Sequence, residues 1–280
     1  MRINSRKNTL LIPALILSVQ LFSLRTAAQD QSYGTIFIST QNGLMQSVEL
    51  PAKSELKMHI AHRFGRLNGG FYDLFGLDEA TMRLGFEWGA TDWLGVSIGR
   101  STWEKTYDLG TKISLFRYTS NDFKLASSLF AGWSVNTLRN YFPENEENLG
   151  SRSTLNLQMM LAAGYKRFSF QVSPVILRNN YDPRADGSLV MFALPLTGSV
   201  NLTKRMGISA EYIAVLNKPI YSDVNPLTFS LDLDTGGHQF QLLFSNSRGL
   251  TYKSIMTNTD TGWTEGGIYF GFNLVRTFYL

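Results

Sequence analysis

Three histidines, His59, His62 and His238, are the side chains of this sequence best suited to proton transfer near neutral pH. A hydrolase would need such a base beside a nucleophile and an orienting carboxylate. None of the three falls in a motif with serine and a carboxylate. There is no cysteine, which removes thiolate nucleophiles, thiolate metal sites, disulfides and a lipid-modified cysteine together. Glu144, Glu146 and Glu147 make an acidic loop without EF-hand spacing, and no phosphate loop or dinucleotide fingerprint occurs. The sequence therefore assigns no catalytic residue, no metal and no cofactor, and the chain reads as a protein that is not an enzyme.

The remaining charges follow a different rule: they alternate with apolar residues. Lys57, His59 and Arg63 alternate with Leu56, Met58, Ile60 and Phe64. Arg83 and Glu87 alternate with Met82, Leu84, Phe86 and Trp88. Asp108 and Lys112 oppose Leu109, Ile113 and Leu115, and Lys124 opposes Leu125. Glu211 opposes Ile208, Ala210 and Tyr212; Asp232 and Asp234 oppose Leu227, Phe229, Leu231 and Leu233. Side chains of a strand point to opposite faces with period two, so each run is a two-faced strand. The hairpin from Met82 to Gly99, turning at Ala90-Thr91-Asp92-Trp93, is the clearest example.

The pattern recurs about twelve times, which is the signature of an all-β chain closed into a transmembrane, antiparallel, up-and-down β-barrel of the outer-membrane type. Expected strands cover 55–64, 82–89, 94–99, 106–116, 123–135, 153–165, 168–177, 189–200, 206–216, 227–234, 238–245 and 267–276. Long connections follow the first, fifth, seventh, ninth and eleventh. Short ones follow the even-numbered strands, and the short link at Trp103-Glu104-Lys105 breaks the rule at the long-loop end. The 189–200 run is apolar on both faces, and Pro195 within it suggests a bulge or kink.

A soluble barrel would turn its apolar face inward. Here that face is continuous and aromatic, while the polar face carries Gly85, Gly89, Gly95, Gly99, Gly110 and Gly132. Trp88, Trp93, Trp133, Tyr165, Phe168, Phe278 and Tyr279 gather near strand ends, as interfacial girdles do. The greasy face is thus expected to meet lipid and the charges to face the lumen. His62 and Arg100, the exceptions on the apolar face, sit near outer strand ends within reach of headgroups.

Residues 1–28 read as a signal peptide, with Arg2, Arg6 and Lys7 ahead of apolar Leu10–Leu24 and small residues at Thr26-Ala27-Ala28. The four basic residues ahead of Gln29 account for the whole excess of 26 Lys and Arg over 22 Asp and Glu. The mature chain is neutral, so nucleic acid is not an expected partner. Residues 29–51 read as an N-terminal periplasmic extension or a segment tucked into the lumen, with an inert lead-in favoured. Residues 52–280 form the barrel.

Several stretches resemble an uncharacterised Bacteroidota outer-membrane β-barrel family, catalogued as a domain of unknown function. They are His62-Arg63-Phe64-Gly65, Phe75-Gly76-Leu77-Asp78, Arg83-Leu84-Gly85, Gly99-Arg100-Ser101, Asp234 through Leu242, Asn246-Ser247-Arg248-Gly249 and Phe270-Gly271-Phe272-Asn273. The resemblance implies a barrel in the cell outer membrane and no activity.

The lumen candidates are then Lys57, His59, Arg63, Arg83, Glu87, Asp108, Lys112, Lys124, Glu211, Asp232 and Asp234. Basic residues dominate strands one to five and acids dominate strands nine and ten, so the two arcs face each other across the ring. The reading chosen on the sequence is a small porin-like channel or transport-related barrel, its transverse field orienting a polar solute. The other is a closed, side-chain-filled barrel that is structural or binds at the surface through loops 65–79, 136–152 and 246–265. Expected partners are outer-membrane lipid and, during insertion, the barrel-assembly machinery.

Overall fold

A computed structural model describes residues 34–280. The expected signal peptide and residues 29–33 lie outside them. Thirteen strand segments form one antiparallel sheet: β1 Glu55–Arg66, β2 Ala80–Thr91, β3 Leu94–Ser101, β4 Tyr107–Thr119, β5 Phe123–Val135, β6 Ser153–Tyr165, β7 Phe168–Val172, β8 Val175–Asp182, β9 Gly187–Asn201, β10 Met206–Val215, β11 Leu227–Asp234, β12 His238–Ser245 and β13 Tyr269–Tyr279. Sequence neighbours pair, except that β7 and β8 each pair with β6 and β9, and β1 pairs with β13, so the sheet closes on itself with no free edge. One short helix, α1 Tyr252–Thr257, interrupts the last loop.

Segments β7 and β8 are one strand. The register of β7 on β9 pairs Val172 with Leu196, and that of β8 on β9 pairs Val175 with Ala193 without a slip. Pro174 and Pro195 face each other's neighbours in the gap, and neither has an N–H to give the ladder. The barrel therefore has twelve strands. The expectation of a bulge at Pro195 is corrected: pairing of β9 with β10 runs unbroken through Pro195 opposite Ile213.

Two further departures from the sequence reading bear on the lumen. The seventh strand continues to Asp182, so the loop expected to be long there is only 183–186. Loop 246–268 does not stand out from the barrel but folds α1 into its mouth. Both departures have one cause. The inner face of β8 to β10 is apolar, with Val175, Leu177, Met191, Ala193, Ile213 and Val215 buried against Ile255 and Met256 of α1. That burial blurs the alternation that marks strands elsewhere, which is why 189–200 looks apolar on both faces.

The short links 92–93, 120–122, 166–167, 202–205 and 235–237 share one end, which is the periplasmic end of such barrels. On β2 the outward residues Met82, Leu84, Phe86 and Trp88 are exposed, whereas inward Glu87 is 5% exposed. Strands of 12 or 13 residues span about 30 Å when tilted, which matches the hydrocarbon core of a bilayer. Among the described residues no helix is long and apolar enough to cross a membrane. A charge on the outer face should then be costly. Leu84→Arg is expected to lower unfolding free energy in lipid by about 2–4 kcal/mol. Urea titration of the reconstituted chain measures it, and a change no larger than at a water-exposed site would refute the lipid-facing assignment.

Candidate functional site: a lumen moulded on its own N-terminal segment

Residues 35–51 run up inside the barrel and back down. Thr40 and Ser47 pair across a tight loop, as do Asn42 and Met45, so the segment is a small hairpin with Asn42–Met45 at its tip. It enters beside Lys124, near the periplasmic 120–122 turn, where the ammonium donates to Thr35 O at 2.7 Å. Residues 35–49 thus lie among the barrel's inward-facing side chains.

The basic arc takes the hairpin's carbonyls. Lys112, almost fully buried, donates to Thr40 O and Glu49 O, both at 2.8 Å. Arg117 donates to Val48 O, and Arg63 to Gly43 O. The acidic arc takes its amides: Glu211 accepts from Leu44 N at 2.7 Å and Met45 N at 3.3 Å. Neutral side chains complete the mould. Gln171 accepts from Val48 N and donates to Gln46 O, Gln241 donates to Gln41 O, and Ser169 donates to Ile36 O. A charged donor facing a carbonyl and a carboxylate facing an amide are the stronger class of hydrogen bond. The two arcs of opposite charge are thus satisfied by a backbone lying between them.

Other lumen candidates are tied to the wall or to each other. Glu87 pairs with Lys112, faces His59 at 3.2 Å and accepts from Thr40 Oγ1. Arg83 grips Asp108 with two hydrogen bonds. Its guanidinium lies across Gly99, where a Cβ would come within 2.2 Å of it, so this polar-face glycine is the floor on which a long side chain rests. Lys57 pairs with Glu55. Asp232 is held by Gln241, Ser209 and Ser230. Asp234 is at the rim and accepts from Gly236 N in the turn.

Sequence reading missed Glu49, Thr40, Arg117, Gln158 and Gln171. Glu49 accepts from Ile36 N and Phe37 N and pairs with Arg117 at 2.7 Å, so it staples both limbs of the hairpin to β4. Its signal was faint: it is the one acid of the apolar-polar stretch 34–54. Packing adds to the polar contacts. Ile36, Phe37 and Val48 bury against Ala126, Phe130, Met160 and Ala162, while Met45 joins the cluster under α1. Between the hairpin and the β1–β5 wall a space of about 60 Å³ remains, lined by Gln41, Gly43, Arg63, Arg83 and Tyr252 among others. That is room for about two waters.

Above the hairpin the barrel opens into a vestibule of about 700 Å³. Arg66, Arg184, Arg248, Trp103, Tyr141 and Tyr221 contribute to its walls. Four ion pairs stand at its walls: Arg66 with Asp260, Arg248 with Glu79, Arg184 with Asp182, and Lys253 with Glu104. Arg184 also stacks on Tyr221 at 4.0 Å. Burial raises the phenol pKa of Tyr141 and of Tyr221, and Glu104 beside Tyr141 adds to it. Both stay protonated donors at neutral pH.

Among solved structures, NanC porin is 9% identical with a TM-score of 0.45, covering 80% of this chain and 99% of that one. Outer membrane phospholipase A from Escherichia coli is 12% identical with a TM-score of 0.44, covering 80% of this chain and 92% of that one. An outer membrane channel from Pseudomonas putida F1 is 13% identical with a TM-score of 0.46, covering 82% and 97%. No curated protein matches the chain. The model of the membrane bound beta barrel domain family (DUF5777) matches residues 37–278, so the chain belongs to that family and is a β-barrel of the outer membrane.

Proposed function

We propose that this outer-membrane protein is a closed barrel that works at its outer vestibule, binding a polar ligand or partner there, and that it is not an enzyme. One observation carries the reading: Lys112, Lys124, Arg117, Arg63 and Glu211 hydrogen-bond the backbone of residues 35–49, and the other lumen charges pair with each other or with the wall. A pore for free solutes would leave those groups to water and solute. The sequence motifs point further to a Bacteroidota source, and lipid and the assembly machinery are the partners the fold calls for.

A second reading, a solute channel, requires the hairpin to leave the lumen. It is favoured by the polar character of most hairpin contacts, which water could replace. Planar-bilayer recording on the full mature chain separates the two. The closed reading expects a silent membrane; steady unitary conductance from the intact chain would overturn it.

A further inference from the structure

The loop joining β1 to β2 has two unlike sides. Asn68, Asp73, Asp78 and Glu79 contribute to the vestibule wall. Phe71, Tyr72, Leu74, Phe75 and Leu77 are not among the residues lining it and are exposed, Phe71 at 87% and Tyr72 at 93%. Phe71 and Phe75 pack together at 4.9 Å, so the apolar side is a cluster and not scattered residues. Clusters of this kind mark an interface.

Its height on the barrel says with what. The outward face of the barrel ends in an aromatic belt, with Phe64 on Phe270 at 5.6 Å and Phe270 on Phe244 at 5.5 Å. Gly65 follows Phe64 directly. The loop folds back so far that a Cβ on Gly76 would lie 2.4 Å from Gly65 O, and Gly76 needs its left-handed φ of +85° to do so. Phe75 and Leu77 therefore flank a residue seated one step beyond the belt. Leu74 and Phe75 also hold positive φ, at 46° and 55°, a conformation that bulky side chains resist. Strain at a surface loop points to a use for the conformation it maintains.

We propose that residues 71–77 form an apolar flap seated in the outer leaflet of the membrane, continuous with the lipid-facing belt, while the flap's polar side walls the vestibule. Lipid then contacts one wall of the vestibule directly. This goes beyond the closed-barrel reading and does not depend on it.

The absence of cysteine makes the test clean. Single nitroxide labels would be placed at Phe71→Cys and Tyr72→Cys in the full mature chain, with Leu84→Cys as the lipid-facing reference and Glu144→Cys as the aqueous one. Folding of each is checked by heat-modifiable gel migration, and two flap sites guard against failure of one variant. In dioleoylphosphatidylcholine vesicles, power saturation should give flap labels an oxygen-to-nickel accessibility ratio like that of Leu84→Cys and severalfold above that of Glu144→Cys. Flap labels matching Glu144→Cys would overturn the proposal. So would spin–spin broadening that disappears on dilution with unlabelled chain, which would assign the flap to a second copy.

Discussion

Deleting residues 35–49 is expected to turn a silent barrel into a conducting one. The hairpin fills the lumen between the Lys112 arc and the Glu211 arc, and both arcs become water-lined once it is gone. The barrel itself should survive. Its strand ladder is complete without the hairpin, from β1 on β13 round to β9 on β10. The freed lumen charges would be solvated by water instead of being left buried, so the penalty for orphaned polar groups does not arise. α1 remains: Ile255 and Met256 pack on the inner face of β8 to β10 while Tyr252 stacks on Phe130 and Lys253 pairs with Glu104, so it narrows the mouth. Heat-modifiable migration verifies folding, and planar-bilayer recording should then show unitary steps absent from the full mature chain. A folded deletion variant as silent as its parent would mean that the hairpin is not what closes the lumen.

That closure is the part of the molecule the sequence hid. Period-two alternation made the wall legible because lipid on one side and a polar interior on the other impose it residue by residue. The strands 123–135, 153–165, 227–234 and 238–245 have the same bounds in sequence and structure. Alternation failed where the inner face is apolar too. Val175 and Leu177 looked like the end of a strand before a long loop, when they were its continuation against α1 and Met45. The hairpin carries no period at all. Residues 35–49 take their conformation from Glu211, Lys112 and Gln171, which lie more than sixty positions away in the chain. The charged arcs were visible; what they were arranged around was not, because a carbonyl looks the same in every residue.

Lys112 is where this arrangement can be tested with one atom's charge. Its ammonium is buried, donates to one carbonyl on each limb of the hairpin and faces Glu87 at 3.6 Å. Glu87 also holds His59 and the Thr40 hydroxyl. Lys112→Met keeps most of the volume and removes the charge. It leaves Glu87 as a buried carboxylate short of its main cation, a change that costs about 3–5 kcal/mol when a buried pair is broken from one side. Glu87→Gln in the same chain removes the orphaned charge. The double variant should therefore recover a large part of the loss, with a coupling above about 1 kcal/mol in the cycle. The damage should also be local. Losing both carbonyl contacts loosens the hairpin before it loosens the wall, so proteolytic cuts within 35–51 should appear under conditions that leave the strands intact. Urea unfolding in detergent micelles gives the free energies, and limited proteolysis gives the site. Were Lys112→Met as stable as the parent and equally resistant to cutting in the hairpin, the hairpin would be held by its apolar contacts with Phe130 and Met160, and the matching of charge to backbone would be incidental.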